Sequence, residues 1–149
     1  QNTYKLAIGT KVAENLKKEI GCVFDPQESI TATVKGRNLL TGYPEQTTIT
    51  QTELFEVLRP FAAETVMAVR SVLERTPPEL IGDIHENGII MTGGTAQLKG
   101  LAELIQENTG IETRLAEDPV RCVGIGTGTC FECMSELKEG FENAATYSH

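Results

Sequence analysis

Gly93 and Gly94 are the residues with the clearest chemical potential, because they follow a short apolar run at residues 89–91. The run Ile-Ile-Met predicts a strand that is buried on both faces. Glycine adopts backbone angles closed to other residues and lets a ligand approach the main chain. A helix is expected to start directly after the turn, with N–H groups that attract anions. Strand, glycine turn and helix together bind nucleotides in α/β proteins, although a Gly-Gly pair is more often a plain tight connection.

The amino-acid composition argues against two classes of binding partner. The net charge of −8 argues against nucleic acid, because phosphate binding needs clustered Lys and Arg. The same charge disfavours adhesion to an acidic membrane surface. No apolar run reaches the ~18–20 residues of a membrane span, and the N-terminus lacks the apolar segment of a signal peptide. We therefore expect a cytoplasmic protein with reduced thiols.

Cysteine and histidine positions give little support for a metal site. Cys130 and Cys133 match C-x-x-C, but no second Cys/His pair accompanies them, and His85 and His149 are the only histidines. The surrounding pattern predicts two thiols on one helix face, with a metal or redox role as the minor alternative. No metal ligand is therefore assigned.

The first half of the chain predicts helices around a small antiparallel sheet. Residues 13–20 have helical spacing and Gly21 is a C-terminal stop, while residues 30–35 and 47–51 are rich in strand formers. A long apolar stripe then predicts a helix from residue 52. Pro60 is expected to kink or break that helix near Leu58, which is the candidate boundary between two units.

The second half predicts alternating helices and strands. Thr76 is the expected N-cap of a short helix, with Pro77 at its first position and Glu79 completing a capping box. The strand at 89–91, a helix to about 108, a strand at 111–116 and a helix at 130–137 follow, and residues 138–149 form a polar tail. This order predicts an α/β layer with a parallel pair of strands.

Four further sequence stretches, together with the glycine turn, make the chain similar to one particular family. They are Tyr-Lys-Leu-Ala-Ile-Gly from residue 4 running into Ala-Glu-Asn-Leu-Lys from 13, Val-Lys-Gly-Arg-Asn-Leu-Leu-Thr-Gly from 34, Ser-Val-Leu-Glu-Arg-Thr-Pro-Pro-Glu-Leu from 71, and 117–128, which begins Glu-Asp-Pro and ends Gly-Ile-Gly-Thr-Gly. With residues 88–100 between the last two, the chain resembles the C-terminal part of the MreB family of bacterial actin-like cell-shape proteins over about residues 4–137.

The resemblance implies a partial actin-like ATPase, or ribonuclease H-like, second lobe of mixed α/β class with a small antiparallel-sheet subdomain. Residues 1–58 would form the small outer subdomain, with the ribose-side helix and the antiparallel strands. Residues 59–149 would form a partial inner α/β subdomain with the adenosine turn. In the family, Mg-ATP lies between this lobe and another.

The resemblance also implies which residues bind the nucleotide. Glu14 and Lys17 lie where the family contacts ribose and adenine, and the adenosine turn corresponds to Gly93, Gly94, Thr95 and Ala96. Bacterial members usually carry a third glycine where Thr95 stands. The alternatives are an exposed i, i+3 ion pair between Glu14 and Lys17, and a helix N-cap at Thr95.

The family's two phosphate loops and its Mg-placing residues are not found in this sequence and would lie before Gln1. Phosphoryl transfer depends on positioning and charge neutralisation around the γ-phosphate, so we expect no catalysis by these 149 residues. The expected cofactor of the intact parent is ATP with Mg, and none is expected on this portion.

The implied function is a cytoskeletal ATPase that polymerises into filaments, directs rod cell shape and guides peptidoglycan synthesis. Its partners would be other copies of itself and the membrane adaptor of the rod complex. The parent would act at the inner face of the membrane, with no direct membrane contact from this portion. The alternatives are a lobe of an Hsp70-like chaperone or sugar kinase, and a stand-alone interaction module without nucleotide binding.

Overall fold

A computed structural model describes residues 4–132 of the chain. The elements, in chain order, are β1 (Leu6–Ala7), α1 (Thr10–Ile20), β2 (Thr31–Asn38), β3 (Pro44–Thr50), α2 (Gln51–Arg75), α3 (Pro78–Asn87), β4 (Ile89–Met91), a 3-10 turn (Thr95–Gln97), α4 (Leu101–Thr109), β5 (Thr113–Leu115) and α5 (Cys122–Glu132). They form a three-stranded antiparallel sheet in the order β1-β2-β3 and a two-stranded parallel sheet of β4 and β5.

The antiparallel sheet packs its inner face on α1. Residues of β2 alternate between exposed and buried, and Ala32 and Val34 point inward to meet Leu16 and Ile20 of the helix. The β2–β3 hairpin turns at Gly42, whose φ of 78° favours glycine, while the side-chain oxygen of Asn38 accepts two backbone N–H groups in the turn. The predicted antiparallel unit is confirmed, with its strands extended to Asn38 and back to Pro44.

The long helix α2 is continuous, so of the predicted kink or break near Leu58 the break is wrong. It runs for 25 residues through the proline. Pro60 is exposed, and residues on both sides of it, namely Leu54, Ala62 and Val66, are buried or partly buried, which keeps both halves helical. Packing here outweighs the roughly 3 kcal/mol by which an interior proline disfavours a helix. The division at 58/59 loses this support and stays a prediction.

The helix that follows begins later than expected. Thr76 ends α2, and its hydroxyl donates to the carbonyl of Val72 at 2.8 Å. Pro77 takes the N-cap position of α3 without a side-chain cap, and Pro78 is the first helical residue, so the predicted capping box of Thr76 and Glu79 is wrong. A residue before proline avoids helical angles, and both Thr76 and Pro77 precede one.

The parallel pair β4–β5 is confirmed, with Ile89 opposite Thr113 and Met91 opposite Leu115. The strand is not buried on both faces, however. Met91 is buried, whereas Ile90 is 55% exposed on the other face. The described residues therefore cover one face of this small sheet and leave the other open.

The helix expected after the glycine turn is also displaced. The turn leads into the single 3-10 turn, and α4 starts only at Leu101, after Gly100 in the left-handed conformation. A left-handed residue interrupts a right-handed helix, so the glycine turn does not lie at the N-terminus of α4.

The last described helix starts earlier than predicted. It begins at Cys122 and includes the run of small residues, while Asp118 accepts the backbone N–H of Arg121 in the turn before it. The expected helix at 130–137 is described only to Glu132. Cys133, the tail at 138–149 and His149 lie outside the described residues. Within residues 4–132, no helix has the length and hydropathy needed to cross a membrane.

The start of α2 is held by a reciprocal capping box. The hydroxyl of Thr50 accepts the backbone N–H of Glu53 at 3.2 Å, and the Glu53 carboxylate accepts the backbone N–H of Thr50 at 2.8 Å. The phenol of Tyr4 also donates to Glu53. These bonds lower the pKa of Glu53, with the Thr50 N–H as the largest cause. The stabilisation is therefore present above the unfolded-state pKa and is lost as pH falls through the folded-state pKa.

Thr50→Ala removes one half of this box. We expect the free energy of unfolding at neutral pH to fall by about 1 kcal/mol, because one N–H group of the first turn loses its acceptor. Urea unfolding followed by circular dichroism measures the change. Thr65→Ala, an exposed threonine inside the same helix, is the control and should be neutral or slightly stabilising. Equal effects of the two substitutions would contradict the capping role.

Candidate functional site

An open groove of about 800 Å³ lies between α1, the middle of α2 and the glycine turn. Of the residues predicted as a site, it brings together Glu14, Lys17, Gly94 and Thr95. Gly93 and Ala96 do not line the groove. The backbone N–H of Gly93 is bonded to the carbonyl of Pro119, and Ala96 is buried in the core beside Met91 and Ile105.

One wall of the groove is the exposed face of α1. Leu16 and Ile20 face the core, so the amphipathic helix turns Glu14 and Lys17 outward. Glu14 forms an ion pair with Lys18 at 2.7 Å, one residue further than predicted, so the alternative pairing of Glu14 with Lys17 is wrong. Positions i and i+4 meet closely on a helix, and the Glu-before-Lys order is the favourable one. The hydrogen bond from Lys18 and its charge hold the pKa of Glu14 below its ordinary value.

The opposite wall is the glycine turn. Gly93 has a φ of 90°, which favours glycine, whereas Gly94 has ordinary helical angles of −65° and −37°. The backbone angles at position 94 therefore do not require glycine. A Cβ added there would meet nothing within 4 Å, so Gly94 leaves open space in the groove. Thr95 is the first residue of the 3-10 turn, whose N-cap position belongs to Gly94 with no side-chain bond. The alternative of Thr95 as a helix N-cap is wrong.

The floor of the groove was missed as a site from the sequence. It is formed by Leu58, Phe61, Ala62 and Thr65 of α2, and Leu98 and Val120 also line the groove. The four α2 residues have i, i+3, i+4, i+7 spacing, which the sequence shows only as part of a core stripe. Phe61 is 65% exposed and so belongs to the groove surface. The only related signal in the sequence is the width of the apolar stripe, which does not tell a covered helix face from an open one.

The groove carries more positive than negative charge, although the whole chain has a net charge of −8. Lys17, Lys18 and Lys99 line it beside the single carboxylate of Glu14. Its apolar floor with a polar rim fits a ligand that has a flat apolar body and polar edges. Among residues 4–132, no group of three or more His, Cys, Asp or Glu is placed to hold a metal ion. The geometry provides for binding and orientation of a ligand.

Comparison with known proteins gives consistent matches. The family described as MreB/Mbl protein matches residues 1–139. The cell shape-determining protein Mbl of Bacillus cereus is 41% identical over 134 residues, which cover 90% of this chain and 40% of that protein. The crystal structure of MreB5 of Spiroplasma citri bound to ADP superposes with a TM-score of 0.85 at 31% identity, covering 94% of this chain and 43% of that one.

A more distant match concerns the fold alone. The MamK double helical filament superposes with a TM-score of 0.62 at 18% identity, covering 78% of this chain and 35% of that one. With MreB5, it confirms the actin-like fold of mixed α/β class that the resemblance implied. The chain spans about 40% of the length of the curated relative it matches. Coverage gives the extent of a match and not its position, so the C-terminal position stays a prediction.

The Glu14–Lys18 pair gives a direct test of the groove's electrostatics. Lys18→Met should raise the pKa of Glu14 toward its ordinary value, because the hydrogen bond and the nearest positive charge are both lost. Lys17→Met is the control and should raise it less, since Lys17 contributes only a weak charge effect. Carboxyl carbon chemical shifts followed by NMR during a pH titration measure both. A larger shift with Lys17→Met would contradict this pairing.

Proposed function

Because the chain belongs to the MreB/Mbl family, we propose that it is the adenosine-binding portion of an actin-like cytoskeletal ATPase that polymerises and directs rod cell shape. The observation that carries the proposal is the groove, which gathers Glu14 and Lys17 from α1 and Gly94 and Thr95 from the turn. These residues are separated by about half of the chain and come together only in the fold.

Each wall has a role in holding an adenosine. The Glu14 carboxylate can accept hydrogen bonds from ribose hydroxyls, and the neighbouring Lys18, which lowers the pKa of Glu14, favours its charged form. Lys17 can donate to the base or lay its methylene stem along it. The bare backbone at Gly94 allows a flat ring to approach closely, and Phe61 and Leu58 offer apolar surface beneath it.

We assign phosphate binding and hydrolysis to the part of the parent protein that lies outside this chain. The chain spans about 40% of the length of Mbl, and the phosphate loops and the Mg²⁺-holding residues would lie in the rest. When bound there, Mg²⁺ would neutralise the charge of the phosphates. This portion supplies the adenosine side and is not itself an enzyme.

The relatives support a proposal for the cellular role. Mbl is named a cell shape-determining protein, MreB5 was crystallised with ADP, and MamK forms a double helical filament. We infer a parent that forms filaments in the cytoplasm at the inner face of the membrane and guides peptidoglycan synthesis. Its partners are further copies of itself and a membrane adaptor of the rod complex. Family membership favours this over an Hsp70-like or sugar-kinase lobe, and nucleotide binding distinguishes it from an interaction module.

Nucleotide binding by this chain should be weak, because half a site leaves much of the ligand in water. We expect isothermal calorimetry with ATP to give weak or undetectable heat, and amide NMR at millimolar adenosine or ATP to show shifts confined to α1 and the glycine turn. Micromolar affinity would show that this portion alone is sufficient. No shifts at millimolar ligand would favour the interaction module.

Gly94→Leu tests whether the groove is the binding site. The angles at Gly94 suit any residue, and a side chain there enters open space, so the protein should fold while the groove is filled. We expect the ligand-induced shifts to disappear. Gly82→Leu is the matched control, because Gly82 lies in α3 with equally open space and does not line the groove. Unchanged shifts in Gly94→Leu would place the ligand elsewhere.

Self-association is expected from the apolar surface that the described residues leave open. Phe61 on α2, Ile90 on β4 and Val123 on α5 are 65%, 55% and 70% exposed, and a short parallel sheet open on one face is an unusual surface for a monomer. Light scattering coupled to size-exclusion chromatography should therefore show a mass above 16.2 kDa that rises with concentration.

Ile90→Lys should lower that mass by placing a charge on the open sheet face. Leu40→Lys is the control, since Leu40 is 80% exposed but lies in the β2–β3 turn, away from the sheet. A clean monomer at high concentration for the unsubstituted chain would contradict self-association.

A further inference from the structure

The chain leaving α1 runs directly beside the chain leaving the glycine turn. Cys22 pairs with Lys99 in an isolated parallel β-bridge, and the backbone N–H of Val23 donates to the carbonyl of Lys99 at 2.9 Å. Val23 is only 2% exposed. We call this contact between residues 21–24 and 98–100 the seam. Because one strand of the seam continues α1 and the other continues the turn, the seam joins the two walls of the groove.

The two segments of the seam are tightly packed against each other. Gly100 has a φ of 82°, and a Cβ added there would lie 2.6 Å from the Cβ of Phe24 and 2.8 Å from its backbone nitrogen. A Cβ added to Gly21 would clash first with the carbonyl group of Lys17 at the end of α1, and would lie 3.2 Å from the Cδ1 of Leu98 across the seam. Atoms as close as those at Gly100 must move apart, so this glycine allows the two segments to approach as closely as they do.

Lys99 adds a side-chain tie to the backbone bridge. Its Nζ lies 3.4 Å from the carbonyl oxygen of Glu19, in the last turn of α1. A cation there meets the negative end of the helix dipole and one of the last carbonyls of the helix. Since Lys99 also lines the groove, its side chain reaches from the turn side toward the α1 side.

We propose that the seam is the positioning element of the groove, in which Gly100 and Lys99 set the distance between the Glu14–Lys17 wall and the Gly94–Thr95 wall. For ligand binding, this role rests on the proposed adenosine function. A ligand that contacts both walls at once is sensitive to their spacing, because a misplacement of about 1 Å in such a site is costly. Gly100 and Lys99 act through the walls and need not touch the ligand.

Gly100→Ala tests the spacing, with Gly110→Ala as its matched control. Gly100 and Gly110 cap the two ends of α4 in the same left-handed conformation, with φ, ψ of 82°, 0° and 72°, 7°. Both substitutions therefore introduce similar backbone strain, but nothing lies within 4 Å of a Cβ on Gly110. Thermal unfolding should show a loss of stability in both variants from the backbone strain and a larger loss in Gly100→Ala, because only its Cβ also meets Phe24 across the seam.

The first measurement needs no ligand. Residual dipolar couplings should show α1 reoriented relative to α4 in Gly100→Ala and unmoved in Gly110→Ala. Unchanged orientation in Gly100→Ala would overturn the positioning role, whether or not the chain binds nucleotide. If the walls move but the unsubstituted chain shows no shifts with millimolar ATP, the seam still sets the spacing and the adenosine function fails.

The second measurement is an NMR titration with ATP. We expect the Kd to rise about tenfold in Gly100→Ala and to stay unchanged in Gly110→Ala. Lys99→Met, an exposed substitution that should fold normally, is expected to weaken binding by a smaller factor, and Lys99→Arg should restore it by keeping a cation at the end of α1. Equal affinities across all four variants, with binding intact in the unsubstituted chain, would overturn the proposal.

Discussion

The burial of α2 against two separate hydrophobic clusters is the interaction on which the rest of the structure depends. Near its start, Leu54 packs with the cluster of α1 and β2, and further along Ala62 and Val66 belong to the cluster of β4 and α4. Gln51 fastens this start: it is 3% exposed, its side chain donates to the carbonyl of Ile20 and it accepts the N–H of Gln27. A buried amide satisfied on both sides fixes one orientation of the helix.

The groove results from the packing of α2 against these two clusters. The helix reaches from one cluster to the other, and α1 and the glycine turn stand on either side of its middle. The floor stays apolar because the uncharged face of α2 is wider than the layer that covers it, and Phe61 lies on the uncovered part. The walls contribute charge and bare backbone. The proposed binding site thus lies between two hydrophobic clusters, a place where ligand pockets are common.

The sequence predicted the helices and strands that show a clear local periodicity. It missed features that depend on long-range burial or on the residues next along the chain. The alternation in β2 and the apolar spacing of α1 each point to one structure, and both are present. Pro60 signalled a break, but long-range burial of Ala62 and Val66 decided otherwise. Thr76 is a residue type that favours the N-cap, yet Pro78 keeps Pro77 out of helical angles, so the helix starts one residue later and Pro77 takes the N-cap position. The site walls were assigned only through family resemblance, since no local pattern joins residue 14 to residue 94. The α2 floor could not be assigned, because helical spacing does not tell a covered face from an open one.

Pro60 makes α2 easiest to bend at the groove. With 25 residues, α2 is a rod of about 37 Å at 1.5 Å per residue. The proline has no N–H to give to the carbonyl of Glu56, so this point is where the rod bends most easily. It lies next to Phe61 on the groove floor, while the far end of the rod carries Thr76 and the loop to α3. Because the helix extends about fifteen residues beyond this point, a bend at Pro60 would displace its far end more than the floor of the groove.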